Sequence, residues 1–456
     1  MSIWTWSQIK NRILKNDGFR GYLKQISRET NPWSRTRRFG KEKTNPRVTL
    51  YRDHHAWCPY CQKVWLFLEE KQIPYNVSKV TMFCYGEKEE WFTRKVNRRG
   101  MLPAIQLDDK VITESDVILE ALETTFGPLH KSMFDPQVKR LRDLERLLFR
   151  AWCSCTYGVL ALTSKQLTHS KTIGLCYPSS SKEEESSTKS RFIEVAGYVD
   201  RVLGETQGPF FLDSFSIADV VFVPYVERMN ASLFFYKGFL LRDAKVFPNL
   251  SRWFDALETR STYRGTQSDF HTHVHDLPPQ MGGCYEGPIK NTTQENNKKL
   301  VLEGPWEKIP DAKYKEPEMS RELAAFRVMQ HHKSIVRVNP VENKDNVDEA
   351  LRCVAMKLLL NDGEDTPSSP RDSDLSLRYI RDRINVPRDM PMWSARRLRQ
   401  ACEDVAKACG NRRSDVSISS RHRRDQNPVP FGHGGNSGEY DASVSRSGGD
   451  VYLDWC

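Results

Sequence analysis

Two cysteines, Cys58 and Cys61 in the run Trp57-Cys58-Pro59-Tyr60-Cys61, are the residues whose type and spacing point most directly to chemistry. They follow a strand-like run, Val48-Thr49-Leu50-Tyr51, and open an apolar-periodic helix marked by Val64, Trp65, Leu66 and Leu68. A Cys-x-x-Cys in that context reads as thiol redox chemistry, not as a structural staple. The reason is placement. At a helix N-terminus, unpaired N–H groups and the helix dipole stabilise negative charge. Such a setting can bring a thiol from a pKa of ~8.5 to between roughly 3.5 and 7.5, so that thiolate exists at neutral pH. Pro59 suits the first helical turn, where its missing N–H would be unpaired anyway. Cys58 is the expected nucleophile, and Cys61, one turn further in, the resolving or supporting thiol. A structural zinc knuckle would need a second Cys-x-x-Cys pair. Cys153-Ser154-Cys155 has the wrong spacing, and no metal is expected. The stretch from Arg52 to Trp57 is polar and aromatic, a wall for a substrate. There His54 or His55 either helps hold Cys58 as thiolate or is ordinary loop.

The elements around the pair must position it. Ile73-Pro74-Tyr75 ends the first helix, and Asn76 to Val80 alternates like a strand. Trp91 to Val96 reads as a short helix, and Gly100 to Ile105 as a turn feeding a strand from Ala104 to Leu107. Asp108-Asp109 turns into Val111-Ile112-Thr113. Glu114-Ser115-Asp116 then caps a helix through Leu119, Leu122 and Phe126, stopped by Gly127-Pro128. The order β-α-β-α-β-β-α is that of a thioredoxin-like α/β domain.

With Cys-Pro-Tyr-Cys, Leu102-Pro103 and Glu114-Ser115 in this order, the chain resembles the glutathione transferase superfamily, in its cysteine-type class. The resemblance makes glutathione the expected co-substrate and Pro103 a cis proline. A cis bond there would turn Leu102 outward to pair with the cysteinyl part of glutathione as an added strand would. It gives Glu114 and Ser115 to the γ-glutamyl end, Ser115 offering hydroxyl and N–H groups at a helix start. Lys88, three residues before Trp91, matches a glutathione-binding lysine, although its charged run (Glu87-Lys88-Glu89-Glu90) also reads as a solvated face. A cysteine in the activating place implies a mixed disulfide with glutathione, hence thiol transfer, deglutathionylation, and dehydroascorbate- or quinone-type reduction. Two cysteines also permit an internal disulfide. The alternatives are a conjugating transferase and a non-catalytic scaffold on the same fold.

The resemblance continues into an all-α C-terminal domain. Pro136 to Tyr157 is one long periodic helix, and the Ser- and Glu-rich stretch from Ser179 to Ser190 reads as a flexible insertion. Arg191 to Leu203 resumes the helix, and Ser216-Ile217-Ala218-Asp219 is a capping box. Pro248 starts another helix through Trp253 and Leu257. His271, His273 and His275 would share one face if extended and could bind a metal with Cys284. A hydrogen-bonded turn packed on the preceding domain is the favoured reading.

The chain of 456 residues thus divides into a basic N-terminal extension (1–46), a thioredoxin-like domain (47–128) and an all-α transferase domain (129–290). A linker (291–318), a helical extension (319–410) and a disordered tail (411–456) follow. Arg378, Arg381, Arg383, Arg388, Arg396, Arg397 and Arg399 make the extension Arg-rich, mostly as solvated faces. A transferase core followed by such an extension looks like the iota class of photosynthetic organisms. The net charge of +10 is modest for this length and concentrated partly at the ends, and no basic stripe with aromatic platforms stands out, which argues against nucleic acid. No apolar run approaches the ~20 residues of a membrane span. With no signal-peptide core, the eleven cysteines are expected to be mostly reduced. Cytoplasm is the expected location and plastid the alternative, since the acid-poor start from Ile3 to Leu14 could be an amphipathic targeting segment. The partners expected are glutathione and a small electrophilic or disulfide substrate, with a homodimer implied by the family.

Overall fold

The computed structural model describes residues 2–41, 43–82, 85, 87–157, 182–281, 291–361, 364 and 367–410. The expected tail 411–456 and Cys284 lie outside them.

Two helices come first, α1 (Trp6–Leu14) and α2 (Asp17–Arg28), followed by a short strand β1 (Thr36–Arg37). Thr5 and Gln8 close a capping box on α1, and the Asn16 side chain caps α2. Next come β2 (Val48–Asp53), α3 (Pro59–Glu70), β3 (Tyr75–Val80), α4 (Glu90–Lys95), β4 (Ala104–Leu107), β5 (Lys110–Thr113) and α5 (Ser115–Phe126). This is the expected thioredoxin-like order. The sheet runs β1-β3-β2-β4-β5, with β2 and β3 parallel and every other pair antiparallel. Its added edge strand, β1, comes from the N-terminal extension. The edge is held by Arg37, which donates to both oxygens of buried Glu69 on α3, while Thr30 donates to one of them at 2.7 Å.

Register fixes what faces what. Tyr51 pairs with Ala104, and Ala104 with Thr113. The loop after β2, the loop before β4 and the start of α5 therefore emerge at the same end of the sheet. The thiol pair and both expected glutathione-binding segments belong to that end.

The all-α half follows: α6 (Pro136–Tyr157), α7 (Lys182–Leu203), α8 (Ile217–Lys237), α9 (Pro248–Leu257), α10 (Ser261–Thr266), α11 (Phe270–Met281) and α12 (Thr292–Glu303). Helix α8 is buried along its whole length, as a run rich in Val and Phe requires. The Ser216–Asp219 capping box starts it, and Asp219 also accepts from Trp253 Nε1 on α9 at 2.8 Å. Burial pushes the Asp219 carboxyl up to about 6, against the hydrogen bonds that favour its charge.

Three expectations are corrected here. Residues 182–190 are not a flexible insertion but the first turns of α7, whose Glu185 is buried against Lys237 at 3.0 Å. Acidic Glu183, Glu184 and Glu185 sit where the helix dipole favours negative charge. The stretch 291–318 is no linker, since α12 forms within it and Val301, Trp306 and Ile309 pack into the main core. The histidine run is helical as α11, so His271 and His275 stack one turn apart at 4.2 Å while His273 points elsewhere.

The extension supplies α13 (Ser320–Val338), α14 (Lys344–Leu359), α15 (Asp374–Arg383) and α16 (Met392–Cys409). It does not stand alone. Ile9, Ile13, Phe19, Leu23 and Ile26 from α1 and α2 share one buried cluster with Leu323, Val354, Ile380 and Leu398. The amphipathic start of the chain is thus a wall of the extension's core. Most of the extension's arginines are likewise not solvated. Arg399 and Arg396 are buried and paired with Asp269 and Asp311 of the preceding half. Arg378 and Arg381 pair with buried Glu403. Arg396 and Arg399, which look solvent-directed in sequence, are thus part of the seam between the two bodies.

Candidate functional site

Cys58 is the N-cap residue of α3, with Pro59 at its first turn and Gln62 N–H bonded to the Cys58 carbonyl at 2.9 Å. The cap has no side-chain oxygen, so first-turn N–H groups stay available to a negative group at the sulfur. Cys58 is 7% exposed and Cys61 is 1% exposed, so Cys58 is the more reachable of two enclosed sulfurs. Burial pushes the Cys61 thiol well up, reinforced by its hydrogen bond with Cys58 and by the charges of Cys58 and Asp53. That division gives one thiol at the helix start and one held protonated behind it.

The loop ahead of Cys58 is tightly held. Trp57 N–H donates to Asp53 Oδ2 at 2.7 Å, and its indole N–H donates to His273 Nδ1 on α11 at 3.0 Å. Arg228 on α8 lies over the Trp57 ring at 4.5 Å, donates to the Trp57 carbonyl, and reaches Gln62 Oε1 at 3.1 Å. Its field reaches Cys58. That guanidinium is a fixed positive charge in the loop that carries Cys58. Of the two expected histidines, His55 does not supply such a charge. It is buried, stacked on Tyr85 at 4.0 Å, and pushed well down by burial, His54 and Arg388, so it is neutral. His54 instead approaches the Val80 carbonyl at 3.4 Å.

Leu102–Pro103 and Glu114–Ser115, also expected from sequence, lie at the same end of the sheet as this loop. Leu102–Pro103 is a cis peptide that leads into β4, with Pro103 buried and Leu102 half-buried. Glu114 is exposed and has a positive φ of 67°, and Ser115 behind it is buried at the start of α5. Lys63 on α3 and Asp116 in the first turn of α5 are paired at 2.7 Å, which ties the two helices together near their starts. Lys88 donates to the Thr81 carbonyl. Burial lowers its pKa, while Cys61, Glu89, Cys58 and Asp53 all pull it up, so it belongs to the thiol neighbourhood and not to a solvated face. Tyr60, 39% exposed, meets Tyr225 edge-on at 5.8 Å, and Arg146 covers the Tyr225 ring at 4.7 Å. Together they form an aromatic wall between the two halves.

Sequence reasoning passed over Asp53 as a site residue, and Arg228 altogether. The signal for Arg228 was a Glu-Arg pair inside an otherwise apolar helix, since charges there are almost never buried without a partner.

Residues 57–125 match the model of the glutathione S-transferase N-terminal domain, and residues 188–256 that of the C-terminal domain. The chloroplastic glutathione S-transferase DHAR3 of Arabidopsis thaliana is 24% identical over 229 residues, covering 50% of this chain and 75% of that protein. Glutathione S-transferase L1 of the same plant is 24% identical over 216 residues, covering 46% and 79%. The crystal structure of Chlamydomonas reinhardtii dehydroascorbate reductase aligns at 19% identity and a TM-score of 0.40, covering 52% of this chain and all of that one (100%). The two matched segments stand in this chain in N-terminal then C-terminal order. Among the described residues no helix is long and apolar enough to cross a membrane.

Proposed function

We propose that this protein is a glutathione-dependent thiol transferase or reductase in which Cys58 is the nucleophile. The observation that supports it most is the convergence at one end of the sheet. The Cys58 sulfur starts a helix beside Arg228, and register brings Leu102–Pro103 and Glu114–Ser115 to the same edge. In this reading Cys58 thiolate attacks a disulfide or glutathionylated substrate and the leaving sulfur departs as thiol. Glutathione, the co-substrate of the family, is held by Leu102, Glu114, Ser115 and Lys88 and resolves the mixed disulfide. The printed names of the curated relatives, glutathione S-transferases DHAR3 and L1, support a glutathione-dependent reading. Cys61 supplies a second route by displacing glutathione to give an internal disulfide. The added extension supports the iota-like class as the finer assignment, and the chloroplastic relative makes the plastid a location to test.

A second reading, a scaffold that kept the fold without turnover, is favoured by the low exposure of Cys58. One experiment separates them. The reduced chain is incubated with oxidised glutathione, analysed by mass spectrometry, and assayed for mixed-disulfide reduction with and without Cys58→Ser. A single adduct on Cys58 and a loss of turnover on the order of a hundredfold or more support the enzyme. No adduct, or undiminished turnover in the variant, overturns it.

A further inference from the structure

Asp53 gives the two thiols a third neighbour that thiol transfer leaves unused. Its side chain is fully buried, with Oδ2 taken by the Trp57 N–H and Oδ1 without any hydrogen-bond partner. A buried polar atom left unsatisfied costs roughly 1–3 kcal/mol, more when it carries charge. Such an atom asks for a ligand. The Cys58 and Cys61 sulfurs and a carboxylate oxygen of Asp53 all lie within 4.8 Å of one another. Among the described residues this is the one such grouping of three.

We propose that Asp53, Cys58 and Cys61 form a binding site for a thiophilic divalent cation, zinc(II) above all, in the reduced protein. Zinc is held at about 2.3 Å by thiolate and about 2.0–2.2 Å by carboxylate, so a tetrahedron sets its sulfurs about 3.8 Å apart. Side-chain rotation by about 1 Å closes the present separations to that geometry. The donor set selects the metal. Two thiolates exclude magnesium and calcium, and the hard carboxylate favours zinc over copper(I). Three protein ligands leave a fourth position open, on the Cys58 side where the little exposure lies.

Charge permits it as well. Two thiolates and a carboxylate around a dication leave one net negative charge, and the fields of Arg228 and Lys88 both reach this cluster. On binding, any protons still on the sulfurs leave to solvent, two metal–sulfur bonds form, and no oxidation state changes. Metal and disulfide therefore compete for the same sulfurs. In that last respect the inference rests on the proposed function, since a loaded site could not attack a substrate.

The test uses the full reduced chain, stripped with a chelator and titrated with cobalt(II), then with zinc(II) against a chromophoric chelator. One equivalent of cobalt is expected to give a thiolate-to-metal charge-transfer band. The paired change Cys58→Ser with Cys61→Ser abolishes that band, and Asp53→Asn weakens zinc binding at least tenfold. Near-UV circular dichroism reports whether Asp53→Asn is folded. Should it not be, oxidising the cysteine pair in the unaltered chain must release the metal. The proposal is overturned by the absence of a charge-transfer band, by equal zinc affinity with and without the two sulfurs, by unchanged affinity in folded Asp53→Asn, or by metal retained after oxidation. The readout is affinity, so a chain that turns over mixed disulfides but binds no cobalt loses this inference alone.

Discussion

Two buried bodies of different origin meet in this molecule. The larger is built mainly from consecutive elements, β2 through α12, and encloses the sheet, α3 and the whole of α8. The smaller is gathered from both parts of the described chain that flank it, α1 and α2 on one side and α13 to α16 on the other. Their packing differs in kind. The first is closed by aromatic and aliphatic side chains, whereas the face between the two is charged. Arg399 meets Asp269, Arg396 meets Asp311, Asn385 donates to Asp276 at 2.7 Å, and the Val386 N–H donates to Thr272 Oγ1 at 2.9 Å. Most of these contacts land on α11 or just ahead of it. Helix α11 in turn holds Trp57 through His273. The extension thus buttresses the helix that fixes the thiol loop, without itself reaching the sulfurs.

That contrast can be broken at several places. The largest effect is expected from removing residues 2–29. This strips Ile9, Ile13, Phe19, Leu23 and Ile26 from the smaller core, each worth about 1.5–3 kcal/mol when fully buried. Amide exchange across α13 to α16 should become fast while α8 stays protected. Equal protection in both would show that they form one cooperative unit. Next comes Arg399→Met, which leaves buried Asp269 without its partner. Truncating one member of a buried pair costs about 3–5 kcal/mol. Urea unfolding should report a loss of that size, and a loss below about 1 kcal/mol would mean the seam is not held by charge.

Glu227 sharpens the comparison within the larger core. Burial raises its carboxyl from 4.5 to about 7, opposed by Arg228 and Gln62. A carboxyl whose folded-state pKa lies above its unfolded value binds its proton more tightly when folded. Its contribution is therefore fully present below about pH 4.5 and is lost as pH rises through about 7. The swing is on the order of 3 kcal/mol. Thermal unfolding measured from pH 5 to 8 should fall with pH in the unaltered chain and fall less steeply in Glu227→Gln, where Asp219 still contributes. An unchanged slope would remove Glu227 as its source. The smallest effect is expected from Thr5→Ala, which removes the α1 capping box and about 1 kcal/mol. Exchange should rise in α1 and its neighbours in the smaller core and nowhere in the larger one.

The local devices were legible because they act within a few residues. Pro136–Tyr157 reads as a helix from its apolar spacing, and Ser216 and Asp219 are three residues apart. For the α11 histidines the favoured reading, a hydrogen-bonded turn packed on the preceding domain, has the burial right but not the helix, because alternate spacing hides a helical period. The polar runs 182–190 and 291–318 misled for a different reason. Their few decisive contacts, Glu185 with Lys237 and Trp306 in the core, depend on partners far along the chain.

By itself the sequence determined the thioredoxin-like order, the capping devices and the identity of the two thiols, since each follows from propensity and spacing along a short stretch. Only the tertiary structure decided that Arg228 and Asp53 flank the sulfurs, and that the chain's beginning and its Arg-rich helices close on one another. A side chain's charge is visible in sequence. Whether water or a buried counter-charge satisfies it is settled by which distant segments fold against it.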